Sequence, residues 1–199
     1  MQNQGLQVQQ GSLDVYSTRT NEVSVAERKD AAIAFLEKFN PKQQMQMVSD
    51  SDDCIFGDYK TLAQLKSELG KNTPVAWLVP QLLNLSEFCG CKGKLSEDQL
   101  EECSFTIATE FYFLKVSELM LFFHKFKSGK YGKFYGNVDP MVITTSLRTF
   151  IGERNQRIQD KQNEEAALKR EEDAKHCITW EEYCRQTNQM HRINNPLLR

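Results

Sequence analysis

The chain has 199 residues, 40% of them hydrophobic, with 25 Lys and Arg against 27 Asp and Glu and a formal net charge of -2. That length suits one domain with tails, or two small ones, and it can supply a core that needs no disulfide or metal. The charge balance excludes a global electrostatic case for nucleic acid, so any such case must be local. No segment approaches the roughly 18 uninterrupted apolar residues of a membrane span.

Residues 1–22 carry Gln2, Gln4, Gln7, Gln9 and Gln10 with few large apolar groups. Such a stretch buries too little surface to offset its ordering entropy, and it predicts a flexible arm. It also lacks the apolar run of a signal peptide. A helix is predicted from Ser24 to about Phe39: Ser24 and Glu27 form a capping box, and Ala32, Phe35, Leu36 and Phe39 recur at helical spacing. Asn40-Pro41 ends it. Residues 42–56, with Asp50, Asp52 and Asp53, read as a solvated acidic loop. A calcium loop would need Gly and Glu where Ile55 and Thr61 stand.

A short helix is expected over Asp58–Leu69, stopped by Gly70. Thr73-Pro74 opens another, through Trp77, Leu78, Leu82, Leu85 and Phe88, with a kink or break expected at Pro80. The stretch Cys89-Gly90-Cys91-Lys92-Gly93-Lys94 closes it as a turn. Ser96 and Gln99 form a capping box for a helix reaching about Phe113. Leu119, Phe122, Phe123 and Phe126 repeat as on a core-facing helix that stops at Ser128-Gly129. After a Gly-rich connector, Asp139-Pro140 starts a helix carrying Ile143, Leu147, Phe150, Ile151 and Ile158. Beyond Ile158 the apolar stripe fades. Residues 159–176 are charged on nearly every face, with Glu165–Lys169 and Glu171–Lys175 spaced as exposed helical pairs. A last helix is predicted from Thr179, with Glu182 completing its box, and a loose end at 193–199.

The reading is therefore an all-α fold: a compact multi-helix bundle with a flexible N-terminal arm and a charged C-terminal helical extension. Its expected divisions are 1–22, 23–158 and 159–199.

The six cysteines, Cys54, Cys89, Cys91, Cys103, Cys177 and Cys184, lie mostly in helix-like apolar stretches. They read as reduced, core-packed thiols of a cytoplasmic protein. The C-x-C step of Cys89 and Cys91 matches neither paired zinc ligands nor a C-x-x-C redox motif. His124, His176 and His191 lack a nucleophile–base motif. Adjacent acids such as Glu101-Glu102 diverge by about 100° on a helix and do not converge on a substrate. No enzymatic activity, metal or cofactor is expected.

One segment stands apart. Residues 122–136, FFHKFKSGKYGKFYG, interleave lysines with aromatic rings and contain no acid. Between Lys115 and Arg154, seven basic residues face three acids, a local charge of +4. Lysines neutralise phosphates and aromatic faces stack on bases, while Gly129, Gly132 and Gly136 permit close backbone approach. The candidate nucleic-acid contacts are Lys125, Lys127, Lys130, Tyr131, Lys133, Tyr135 and Arg148. The competing reading is structural, with Phe122, Phe123 and Phe126 as core, Tyr131, Phe134 and Tyr135 anchoring the loop, and the lysines facing water.

The stretches CIFGDYKTLAQL, AWLVPQLLNLSEFCGCKGKL and ELMLFFHKFKSGKYGKFYGNVDPMVI, spanning about Cys54 to Arg154, resemble a family of short proteins from Bacteroides-type gut bacteria, their phages and mobile elements. The resemblance implies a setting and no activity. Within it, the outline is similar to small phage helicase loaders, a helical body followed by a polar tail. The expected function is a non-enzymatic accessory of phage or mobile-element DNA metabolism. The basic segment would touch nucleic acid, and residues 159–199 would engage a replication protein. The alternative is a protein–protein adaptor or structural component without nucleic-acid contact. No membrane partner is expected.

Overall fold

The computed structural model describes residues 25–177 and 180–194, the stretch 188–194 by its backbone alone. The predicted arm at 1–22, the Ser24 cap and the Thr179 start lie outside these residues. All the regular structure described is helical: α1 (25–38), a 3-10 turn (Pro41–Gln43), α2 (Gln44–Met47), α3 (Ser51–Phe56), α4 (Leu62–Glu68), α5 (Thr73–Phe88), α6 (Glu97–Glu110), α7 (Val116–Lys127), α8 (Pro140–His176) and α9 (Trp180–Asn194). The all-α expectation holds. The chain divides into two compact units, one through Gly152 and one from Glu153, with the boundary inside α8.

The first unit is built around α7. From Val116 to Phe123 its side chains are at most 1% exposed, the pattern of a helix apolar on every side. Leu119, Phe122, Phe123 and Phe126 are core, as their spacing predicts. Helices α2, α3 and α5 pack against α7, and α5 packs against α6. Trp77, Leu78, Leu82 and Leu85 come from α5, Ile107 from α6, and Ile143, Leu147 and Phe150 from the first turns of α8. Phe150 meets Phe122 at 5.7 Å between ring centroids.

The caps explain most boundaries. Gln99 N–H donates to Ser96 Oγ (3.2 Å) and Ser96 N–H to Gln99 Oε1 (3.0 Å), the predicted box. A second box, Thr61 with Gln64, starts α4 four residues later than composition alone suggests. Asp139 accepts from Met141 N–H (2.8 Å) at the start of α8.

Several expectations are corrected. Residues 42–56 are short helices rather than a loop. Asp50 Oδ1 accepts from the Asp52 and Asp53 N–H groups (2.9 and 3.1 Å), so the acids crown the start of α3, where the helix dipole favours them. Thr73 does not cap α5; its hydroxyl donates back to the Leu69 carbonyl (3.1 Å), and Asn72 holds the cap position. Helix α5 runs unbroken through Pro80, the flanking packed residues outweighing one missing N–H. Helix α6 ends at Glu110, short of Phe113. Residues 193 and 194 belong to α9, not to a loose end. All six cysteines are unpaired, but only Cys54 and Cys103 are buried. Among the described residues no helix is long and apolar enough to cross a membrane.

In the second unit, residues 162–177 are exposed throughout, as a helix with charge on every face must be. Arg157 and Glu164 pair at 3.4 Å. Trp180 and Tyr183 stack on each other at 5.5 Å, and both are exposed.

Candidate nucleic-acid interface

The basic segment begins on α7 and leaves it at Ser128. The Gly129 N–H donates to the Phe126 carbonyl (2.9 Å), and Gly129 takes a positive φ of 82°, a conformation that costs a side-chain residue dearly. The loop from 128 to 139 then returns along the core. Its anchors are aromatic. Tyr131 lies 5.6 Å from Phe122 and 6.1 Å from Phe126, and Phe134 stacks on Phe126 at 5.3 Å. Tyr135 takes no part in this and is 93% exposed. The loop therefore divides its rings: two hold it in place and one projects.

The far limb of this loop pairs with another loop. Gly93 N–H donates to the Gly136 carbonyl (3.2 Å), and Val138 N–H donates to the Gly93 carbonyl (2.9 Å). A Cβ at Gly93 would overlap the Asn137 side chain, so glycine lets the two backbones approach this closely without displacing Asn137. The pairing brings exposed Lys92 and Lys94 to the loop that carries exposed Lys130 and Lys133. From sequence, Lys92 and Lys94 belong only to the turn that ends α5. Nearby acids have local duties: Asp139 caps α8, and Glu97 and Asp98 occupy the first turn of α6.

The remaining candidates fare differently. Lys127 turns inward. Its ammonium donates to Gln44 Oε1 (2.8 Å) and to Asn84 Oδ1, and lies 5.7 Å from the Phe88 ring centroid. Burial holds its pKa below the ordinary lysine value, with Cys89 acting in the opposite sense. Lys127 is thus half-buried and links α7 with α2 and α5. Lys125 is half-buried, with its ammonium 5.6 Å from the Phe150 ring. Arg148 is exposed on α8, its guanidinium 5.7 Å from the Phe111 ring. Lys130 and Tyr131 form, with the first turns of α8, a cleft of about 450 Å³ that also presents Thr145, Ser146 and Thr149.

Chemistry of other kinds finds little footing. Among the described residues no group of three or more His, Cys, Asp or Glu is placed to hold a metal ion. The thiols of Cys54 and Cys103 are each pushed up to about 11, chiefly by burial, which disfavours the thiolate a nucleophile needs.

Fold and surface together define a small all-α protein with a loop-borne basic patch and a projecting tyrosine. The chain belongs to a family of unknown function, DUF6633, whose model matches residues 94–194. The match takes in the whole 128–139 loop and Arg148, begins at Lys94 and leaves Lys92 outside. No curated protein and no solved structure matches the chain.

Proposed function

We propose that this chain is a non-enzymatic accessory protein that binds nucleic-acid phosphates through its paired 91–95 and 128–139 loops. In this reading residues 159–199 engage a protein partner, a replication protein in the setting that the sequence resemblance implies, phage or mobile-element DNA metabolism in Bacteroides-type bacteria. The observation that supports it is the backbone pairing of Gly93 with Gly136 and Val138, which joins the loop carrying exposed Lys92 and Lys94 to the loop carrying exposed Lys130, Lys133 and Tyr135. Four exposed lysines thus lie on two paired loops of a chain whose net charge is -2, with Glu97, Asp98 and Asp139 offsetting part of their charge. Their stems need not order deeply, because phosphate contact rewards charge rather than fixed geometry.

The test is fluorescence anisotropy against labelled DNA at low and physiological salt. Changing Lys92, Lys94, Lys130 and Lys133 together to Gln should abolish binding at physiological salt. It should also reduce the salt slope by roughly 3, at about 0.7–0.9 per phosphate contact. Undiminished binding by that variant removes the patch from the account.

A second reading, a protein–protein adaptor, draws on a different surface. Between α5 and α6 lies a groove of about 820 Å³ where Val75, Val79 and a 63% exposed Phe105 sit beside Glu101 and Glu102. Absence of any DNA binding at low salt would favour it.

A further inference from the structure

We infer that the ligand of the basic surface is single-stranded nucleic acid, with a base stacked on Tyr135 and a sugar–phosphate in the cleft between Lys130 and α8. This rests on the nucleic-acid reading above and names its substrate class.

The first argument is the division of the aromatic rings. Tyr131 and Phe134 are half-buried and docked on Phe122 and Phe126, so each has part of its ring committed to the core. Tyr135 is 93% exposed although it adjoins Phe134 in sequence. A tyrosine left in water forgoes the gain of burying a large aromatic side chain. Its backbone, by contrast, is constrained. Asn137 N–H donates to the Tyr135 carbonyl (3.0 Å), and the next carbonyl, that of Gly136, is held by Gly93. The ring therefore projects from a tethered loop rather than from a loose one, and little further ordering is required when a partner stacks on it.

The second argument is what such a ring can meet. In a duplex the base faces are already stacked, and only edges and phosphates are presented in the grooves. A single strand offers open π faces, and an aromatic side chain stacks on any base without reading its identity. An exposed ring on a loop that carries Lys130 and Lys133, paired to one that carries Lys92 and Lys94, thus matches a strand whose phosphates and base faces are both accessible.

The third argument is the cleft. At about 450 Å³ it lies within the roughly 300–1,000 Å³ range of small-ligand sites. Lys130 supplies a cation, Thr145, Ser146 and Thr149 supply hydroxyls, and Met141 adds an apolar wall. That mixture suits a sugar and its phosphate, which ask for charge, hydrogen bonds and some apolar contact, better than it suits an apolar peptide side chain.

The experiment compares a short labelled oligothymidylate with a duplex of equal length, for the wild-type full chain, Tyr135→Ala, Tyr135→Trp and the four-lysine Gln variant. Thermal melts confirm that the exposed Tyr135 substitutions leave folding intact. The wild type should prefer the single strand. Tyr135→Ala should weaken single-strand binding by roughly 5- to 150-fold, the equivalent of about 1–3 kcal/mol per stacked base. It should leave duplex affinity and the salt slope unchanged, and Tyr135→Trp should retain wild-type binding. If Tyr135→Ala binds the single strand as the wild type does, or if the duplex is preferred, while the lysine variant still loses binding, the single-strand inference fails and phosphate contact stands. If neither DNA binds at low salt, both fail together.

Discussion

Replacing Gln81 with Leu should cost this protein about 2 kcal/mol, because Gln81 is the central link of a buried polar chain. Lys127 donates to Gln44 Oε1 (2.8 Å), Gln44 Nε2 donates to Gln81 Oε1 (2.6 Å), and Gln81 Nε2 donates to the Phe39 carbonyl (2.8 Å). Trp77 Nε1 donates to the same carbonyl at 2.8 Å. An ammonium can only donate and a carbonyl can only accept, so the two ends fix the direction of both amides between them. Gln44 and Gln81 are at most 2% exposed. Gln81→Leu leaves the buried Gln44 Nε2 without that partner, a penalty of about 1–3 kcal/mol, and deletes a bond to Phe39 worth about 1 kcal/mol. Added apolar burial returns on the order of 1 kcal/mol. The Phe39 carbonyl keeps Trp77.

The assay is urea denaturation followed by Trp77 fluorescence in a Trp180→Phe background, since Trp77 is fully buried and Trp180 is 75% exposed. The midpoint should fall at unchanged slope. Gln44→Leu combined with Gln81→Leu should be less destabilised than the sum of the singles by about 1–2 kcal/mol, because paired removal leaves fewer orphaned groups. A Gln81→Leu variant within about 0.5 kcal/mol of wild type, the scatter of ordinary surface substitutions, would refute the chain as a source of stability. Strict additivity of the double variant would refute the coupling.

Gly93→Ala should push Asn137 aside and part the two loops, lowering DNA affinity by anisotropy, and adding Asn137→Gly should recover it. Lys115→Met should destabilise the first unit by about 2 kcal/mol in urea melts, since its ammonium donates to the Ile55 and Gly57 carbonyls (2.9 and 2.8 Å) at the end of α3 and bonds to charged donors contribute about 1.5–3 kcal/mol. With a thiol-specific disulfide reagent at mildly alkaline pH, exposed Cys177 should react at once, and Cys54 and Cys103 only on unfolding. Those two thiols ionise near 9.0 when unfolded and near 11 when folded. Between those pH values the unfolded chain has lost more protons, so stability should fall as pH rises through that window and be flat below it; a urea midpoint constant from pH 9 to 11 would contradict this.

How much of the fold was legible depended on whether its cause was local. The Ser96–Gln99 box, the Asp139-Pro140 start and the Leu119–Phe126 stripe each lie within one helical turn or two, and each appears as read. The helices of 42–56 escaped notice because four- and six-residue helices have almost no intrinsic stability; packing against α7 holds them. One local sign was present even there, since Asp50 followed by Asp52 and Asp53 is the composition of a helix start. Lys127 was also readable in principle. It follows Met120 and Phe123 at helical spacing, and an apolar run that long leaves the end of α7 close to the core, though burial on every side of residues 116–123 fixes no single phase.

Lys92 and Lys94 had no such signal. Nothing within a few residues of Gly93 announces that it pairs with a strand-like stretch more than forty positions later, because register between distant loops is a property of the folded core and not of either loop's composition. The same fact says which lysines of a basic segment are open to a ligand. Lys125 and Lys127 lie on the helix, where the periodicity that buries Phe122 and Phe126 also assigns them places against Phe150, Gln44 and Asn84. Lys130 and Lys133 lie beyond Gly129, where the helix has ended, and are exposed, Lys130 with its ammonium 5.9 Å from the Tyr131 ring centroid; exposed Lys92 and Lys94 lie on the second loop. Charge counted along the sequence therefore does not separate lysines held against the helical core from lysines exposed on two paired loops.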